Sequence, residues 1–411
     1  MFTRADALAL DAADKLKHKR AEFSIPDGMI YLDGNSLGVL PRAAVARVKH
    51  AVDVEWGADL ITSWNKHGWF HLPRVIGNKI ARLIGAAPDS VIVADSISVN
   101  MFKVLSAALA KNPQRKIILS DSGNFPSDLY VAQGLNGFLN DGHQLRVVEP
   151  DAVMDAITDD VAVVMITETD YRSARRHDMK AVTAKAHAKG CLVIWDLAHS
   201  AGAVPGCLSE VNADFAVGCT YKYLNGGPGS PAFLYVHPRL QNEIMPALVG
   251  WWGHAAPFAF APDFAPAAGI IRMQCGTQPM LSMQALDAAM DVWADVDMVD
   301  VYAKAQKMCA LFVELAETKC GQYGISLYGS RDFATRGSHV CLRHEHAYAI
   351  MQAMIAKRII GDFRSPDMIR FGFAPLYNSF VEVWDAVEYL SDVLGGKLWD
   401  VAAFRERKAV T

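Results

Sequence analysis

No two of the seven cysteines (Cys191, Cys207, Cys219, Cys275, Cys309, Cys320, Cys341) stand in a C-x-x-C pair, and their number is odd. They read as reduced core or surface thiols of a cytoplasmic protein, not as a disulfide framework. No stretch approaches the roughly 18 to 20 apolar residues of a membrane-spanning helix. Charge of neither sign dominates: 40 Lys and Arg stand against 44 Asp and Glu, for a net charge of −4. That leaves no electrostatic footprint for nucleic acid or for an anionic membrane surface. An anionic ligand must then be held by local groups. The first twenty residues mix acids and bases without an apolar core, so neither a signal nor a transit peptide is expected there. Internal repeats and low-complexity tracts are missing too.

What remains is a well-buried globular composition, 52% hydrophobic and 20% charged over 411 residues, a length at which two domains are the default. Seven short apolar runs follow one another between residues 80 and 240: Val91–Ala94, Lys116–Leu119, Arg146–Val148, Ala162–Thr167, Cys191–Trp195, Phe215–Gly218 and Ala232–Val236. Helical patterns such as Val99–Lys111 and Lys180–Lys189 lie between them. Apolar strands with helical crossovers predict an α/β fold, a large domain whose mostly parallel seven-stranded sheet is covered by helices on both faces. Ligands of such sheets sit beyond the carboxyl ends of the strands. After residue 282 the texture changes to long amphipathic stretches (Gln284–Val296, Asp300–Lys319), strands near Ser338–Leu342 and Met368–Phe373, and a helix over Glu382–Leu394. The expected division is a large cofactor-binding domain at 55–285 and a smaller α/β domain formed by 1–54 together with 286–411. Pro257, Pro262 and Pro266 mark a long irregular connection of the kind that lies against another subunit.

The segment Ile194-Trp-Asp-Leu-Ala-His-Ser-Ala-Gly202 ends an apolar strand in Asp196, with His199 three positions on. A carboxylate there is costly unless something cationic meets it: a metal, a helix terminus or a protonated ring nitrogen. The next strand runs into Cys219-Thr-Tyr-Lys-Tyr-Leu-Asn-Gly-Gly-Pro-Gly229, which sets Lys222 before a glycine-rich turn. Partial desolvation at such a place favours a nucleophilic amine. Each residue alone is more often a plain strand-end charge. Together, on consecutive crossover units, they are what pyridoxal phosphate needs: an acid to keep the pyridine nitrogen protonated and an amine to hold the aldehyde as a Schiff base.

The resemblance is wider than this pair. Tyr31-Leu-Asp-Gly-Asn-Ser-Leu-Gly38, Asn124-Phe-Pro-Ser-Asp-Leu-Tyr130, Trp195–Gly202, Cys219–Gly229, Gly250-Trp251, Cys275-Gly-Thr-Gln-Pro279 and Met368-Ile-Arg-Phe-Gly-Phe373 together resemble the kynureninases, most closely the bacterial ones, within the aminotransferase-like fold type I of pyridoxal-phosphate enzymes. The resemblance implies hydrolysis of L-kynurenine to anthranilate and L-alanine in a homodimer with shared active sites. It implies Lys222 as Schiff-base lysine and proton carrier, Asp196 at the pyridine nitrogen, His199 beside the ring's O3′ and Phe125 on the ring face. The Pro126-Ser127-Asp128 turn, Thr167 and Tyr221 join the cofactor site, with Tyr221 as the acid that protonates the β-carbon. Ser96 and Ile97 are placed to hold the phosphate through backbone N–H groups at a helix start. Trp251 and Thr277 are implied to reach the phosphate from the neighbouring subunit. Arg370 is implied to grip the substrate α-carboxylate with its planar fork. Asn35, Ser36 and Trp64 complete the substrate side, Trp64 in the stretch that approaches the aryl group.

Two stretches depart from the family pattern. Ser96-Ile97 stands where two threonines are usual, which removes one hydroxyl from the phosphate site. Thr167-Glu-Thr-Asp-Tyr-Arg-Ser173 carries Glu168 and Asp170 where a His and an Asn are usual, which adds negative charge close to the site. Other motifs carry less. Gly226-Gly-Pro-Gly229 lacks the Gly-Lys-Ser/Thr ending of a P-loop. His344-Glu-His346 has no third ligand at metal spacing, so no metal is expected. A cysteine desulfurase or class V aminotransferase is the alternative within the superfamily; a desulfurase needs a reactive cysteine on a mobile loop, and none of the seven stands in an obvious one.

Overall fold

The computed structural model describes residues 2–408. Its centre is a seven-stranded sheet in the order Val91–Val93, Phe233–Val236, Phe215–Gly218, Leu192–Asp196, Val161–Thr167, Ile117–Asp121, Gln144–Val148. All neighbours run parallel except Phe233–Val236, which is antiparallel to both of its partners. Each of the seven apolar runs in the sequence is one of these strands. The alternation of side chains divides them between two cores. Val164, Ile166, Val193 and Trp195 join one apolar cluster, while Val163, Met165 and Ile194 join another across the sheet. Both faces are therefore covered, as near-continuous apolar strands require.

The crossover helices start on recognisable caps. Ser96 opens Ile97–Lys111 and Asp178 opens Met179–Ala188, each accepting a hydrogen bond from a backbone N–H in the first turn. Pro126 occupies the first turn of Pro126–Leu139, where its missing N–H costs nothing. These helix starts and the carboxyl ends of the parallel strands face the same end of the sheet. There Thr167 lies in register beside Asp196, and Asp196 beside Val217.

The C-terminal unit is an antiparallel sheet of four strands, Asp362–Arg364, Met368–Gly372, His339–Arg343 and Ser326–Tyr328, packed with helices Met298–Cys320, Ala347–Ala356 and Phe380–Gly395. The N-terminal segment belongs partly to it. Helix Arg4–Ala13 packs on Phe380–Gly395, Ile30–Tyr31 pairs in parallel with Ile359–Ile360, and Ala7 and Leu32 sit in this unit's core. Leu16 and Phe23 instead pack into the larger core, Phe23 edge-on to Tyr377 with ring centres 5.1 Å apart. The expected helical stretch Gln284–Val296 proves to be helix Met280–Asp291 followed by a turn. The physical reason is Arg82, whose guanidinium takes the carbonyls of Trp293 and Val296, while Asp297 caps the next helix.

The proline-rich connection is irregular, with Phe258 and Phe260 67% and 85% exposed. His344 lies against the Tyr323 carbonyl and His346 stacks on Trp399, so both rings have structural partners. Among the described residues no helix is long and apolar enough to cross a membrane.

Candidate active site

A cavity of about 640 Å³ opens at the carboxyl ends of the central strands. Its walls include Asp196, His199, Tyr221 and Lys222 from the sheet, Ser96 and Ile97 from one helix start, and Phe125, Ser127 and Asp128 from another. Thr167 and Thr277 also line it, as do Asn35, Ser36 and Arg370. The N-terminal motif reaches this place because Gly38 closes on the lysine loop. Its N–H donates to the Tyr221 carbonyl at 2.7 Å, and a Cβ at Gly38 would meet the Lys222 carbonyl at 2.3 Å, so only glycine allows the approach.

Lys222 Nζ lies 3.5 Å from His199 Nε2 and 5.9 Å from the centre of the Phe125 ring. Asp196 is buried, one oxygen accepting the Ala198 N–H at 2.8 Å. Burial pushes its carboxyl upward against the pull of Lys222. Asp128 is also buried; its Oδ2 has no partner, and burial reinforced by Asp196 raises it well above the usual carboxylate range. Burial and then Lys222 hold His199 far below its ordinary value, so the imidazole is neutral. Tyr221 is pushed up by burial and so keeps its proton. Two buried acids thus face one lysine, an arrangement that asks for a further cationic donor.

On the opposite wall Arg370, 1% exposed, uses most of its donors within the protein. Nε and Nη2 bind Asp362 at 2.9 and 2.5 Å, Nη1 binds the Tyr171 carbonyl at 2.7 Å, and Nη2 also binds Ser36 Oγ at 2.9 Å. The two-point grip expected for a substrate is thus occupied by Asp362, and one Nη1 proton remains free. Arg364 stands in the same wall. It pairs with Asp362 at 2.5 Å and has a buried Nε without a partner. Sequence reasoning missed Arg364, Asp362 and Tyr171, which sit on a short hairpin and a loop without a motif of their own. It also missed Ser98, a hydroxyl at the same helix start as Ser96, next to the position where the family pattern has lost one.

The added negative charge of Glu168 and Asp170 does not reach the cavity. Glu168 turns away and pairs with Arg176 at 2.8 Å, and Asp170 accepts the N–H groups of Arg172 and Ser173 in its own turn. Trp64, Trp251 and Pro126 are not in the cavity wall of the single chain. Trp64 stands edge-on to Trp252 at 5.4 Å and to Trp251 at 6.4 Å in an aromatic cluster beside the cavity.

Asp33 gives a pH prediction. Burial, then Asp362, raises its carboxyl to about 7, and one oxygen lacks a partner. A carboxyl raised from 3.8 to about 7 on folding makes the folded chain bind more protons between those values. Its stabilising protonation is complete below the unfolded value and is lost as pH rises through the folded one. Asp33→Asn is therefore expected to gain thermal stability relative to wild type from pH 5 to pH 8, by about 2 to 4 kcal/mol at most. A difference in melting temperature that stays flat over this range counts against the raised carboxyl.

Comparison with known proteins bears on this geometry. The family model "Kynureninase C-terminal domain" matches residues 301–390. A kynureninase of Pseudomonas fluorescens is 49% identical over 416 aligned residues, covering all of both chains. One from Burkholderia mallei (strain SAVP1) is 50% identical over the same span. This chain belongs to the kynureninase family. Solved structures share the fold at much lower identity. A cysteine desulfurase from Thermococcus onnurineus NA1 has 17% identity and a TM-score of 0.77 over 92% of this chain and 98% of that one. A C-DES variant with glycine covalently linked to its PLP cofactor has 17% identity and a TM-score of 0.79 over 91% and 99%. Kynureninases are pyridoxal-phosphate enzymes, and the cavity suits that group. The unpartnered Asp128 Oδ2 and the buried Asp196 match a protonated ring nitrogen, the start of Ile97–Lys111 matches a phosphate, and Lys222 matches an aldehyde.

Proposed function

We propose that the chain hydrolyses the Cβ–Cγ bond of L-kynurenine, consuming one water and releasing anthranilate and L-alanine, at the cavity around Lys222. The observation that carries this reading is identity of 49 to 50% to kynureninases over the full length of both chains. Pyridoxal phosphate, when bound, supplies an electron sink for negative charge at the substrate carbons. Lys222 would hold the cofactor and move a proton at the substrate Cα. Asp196, with Asp128 nearby, would face the ring nitrogen, neutral His199 its hydroxyl edge and Phe125 its face. Ser96, Ile97 and Ser98 would receive the phosphate. The α-carboxylate would meet the free Nη1 proton of Arg370 and the unpartnered Nε of Arg364, beside Asn35, whose buried amide has no partner in the protein. Water adds to the γ-carbonyl of the substrate, and Tyr221, still protonated, gives its proton to the departing β-carbon. The desulfurase alternative lacks support in the cavity wall, to which none of the seven cysteines contributes.

A homodimer is part of this proposal. Ile61, Trp251, Phe258 and Phe260 leave a broad apolar surface around the aromatic cluster, each at least 38% exposed, and exposed patches of this kind mark interfaces. Trp251 would then approach the phosphate of the partner's cavity, whereas Thr277 already lines the cavity of its own chain. Sedimentation is expected to give a two-chain species, and an active monomer overturns the shared site.

The experiment that tests the substrate assignment is a direct assay of L-kynurenine and 3-hydroxy-L-kynurenine. If Trp64 faces the aryl group, it offers an apolar wall and a lone indole donor. An extra hydroxyl left without a partner costs about 1 to 3 kcal/mol, roughly ten- to a hundredfold in kcat/KM. L-Kynurenine is expected to be the better substrate, with Trp64→His narrowing the gap. Equal or reversed ratios in the wild type refute the apolar wall, and no turnover of either substrate refutes the assignment.

A further inference from the structure

Away from the cavity, His50, Glu55 and His67 each bring one ligand atom within 4.8 Å of the other two, the one such group among the described residues. We propose that these three side chains form a binding site for a late first-row divalent metal ion of the zinc type. The donor set of two imidazoles and one carboxylate is the kind such ions take while keeping a position open for water. Three atoms no more than 4.8 Å apart lie within about 2.8 Å of a common centre, so each needs to close by under about 1 Å to reach a bond of about 2.1 Å. His50, whose side chain is 52% exposed at the end of helix Arg42–His50, has the freedom to do so.

The surroundings are already arranged as a metal site needs. Glu55 is buried in the π-helical turn Ala51–Trp56. Its Oε2 accepts the Trp69 indole N–H at 2.6 Å and the Gln284 amide at 3.0 Å. Oε1 is left facing His50 Nε2 at 3.9 Å, too far for a hydrogen bond. His67 Nε2 is held by Asp59 Oδ2 at 2.7 Å, which fixes the ring. A carboxylate behind a histidine ligand orients the ring and raises its basicity, as in known zinc sites. A buried, half-satisfied Glu55 between two imidazoles lacks the cation that the ion brings. The bound ion ties helix Arg42–His50 to the turn after Ser63–Lys66 and so fastens the short helix that carries Trp64. The site itself is independent of the reaction proposed above.

The test uses the full-length enzyme with its pyridoxal phosphate, stripped of metal by a chelator and dialysed. Zn²⁺ is titrated against a chromophoric chelator, and Co²⁺ is added separately for its visible d–d absorption. One tight Zn²⁺ per chain is expected, insensitive to excess Mg²⁺, which prefers oxygen ligands. Co²⁺ bands of low symmetry without thiolate charge transfer are expected, setting this site apart from the cysteines. His50→Gln, a surface change that spares the fold, and His67→Gln are each expected to weaken Zn²⁺ about a hundredfold. Asp59→Asn, which touches no metal, is expected to weaken it about tenfold. Wild-type affinity in both histidine variants overturns the proposal, as does the lack of a tight Zn²⁺ in the wild type.

Discussion

Lys222→Ala is expected to lower turnover of L-kynurenine by at least about 10⁴-fold, the scale on which a group that bonds covalently to its reactant matters. The geometry leaves no understudy. Lys222 is the amine that lines the cavity, 3.5 Å from His199 and facing the buried Asp196 and Asp128. The remaining cations of the wall, Arg364 and Arg370, are guanidinium groups engaged with Asp362. The cofactor is expected to bind still, through the helix start at Ser96 and through Asp196, but to come away on dialysis and to lack the visible band of a Schiff base. Lys222→Arg separates charge from chemistry, because it keeps a cation against the two acids without a nucleophilic nitrogen. It is expected to be as inactive as the alanine variant and more stable than it without cofactor. Turnover within tenfold of wild type, or borohydride fixing the cofactor to another lysine, removes Lys222 from this role.

How much of this was legible in the sequence follows from what kind of signal each feature leaves. The central sheet was readable because a strand buried on both faces must be apolar almost throughout, as Val161–Ile166 is at 0% exposure. Asp196 and Lys222 stood out because a charge ending such a strand is costly unless used. The helix ending at Asp291 was overrun by five residues, Val292–Val296, whose Val and Trp look helical, since nothing local shows that Arg82, over 200 positions away, takes the Trp293 and Val296 carbonyls. How Glu168 and Asp170 are neutralised was hidden for the same reason. Their neutralising partners, Arg176 and the turn at Arg172–Ser173, become visible only when the loop is folded. The His50, Glu55 and His67 group has no recognised ligand spacing, because a π-helical turn and a short helix bring the three together.

Arg370→Lys is expected to cost about 3 to 5 kcal/mol in kcat/KM for L-kynurenine, roughly a hundred- to several-thousandfold, the range for disrupting a buried, hydrogen-bonded charge pair. A planar fork is needed here because Arg370 does two jobs at once. Its Nε and Nη2 neutralise Asp362, Nη1 and Nη2 tie down the Tyr171 carbonyl and Ser36, and one Nη1 proton is left for a ligand. An ammonium has three donors on one atom and cannot span these partners. Asp362, which Arg370 and then Arg364 hold below the usual carboxylate range against the upward push of burial, would keep Arg364 as its main partner. Arg364 would be drawn fully onto Asp362 and away from the cavity. The loss should therefore appear chiefly as a raised KM, with the Schiff-base absorbance of the cofactor at Lys222 unchanged. Arg364→Gln, which leaves the Arg370–Asp362 pair intact, is expected to raise KM about tenfold, the worth of one charge-assisted hydrogen bond. A kcat/KM within threefold of wild type for Arg370→Lys would place the α-carboxylate elsewhere in the cavity. A large loss in kcat alone, at unchanged KM, would make Arg370 a positioning residue that acts through Tyr171 and Ser36.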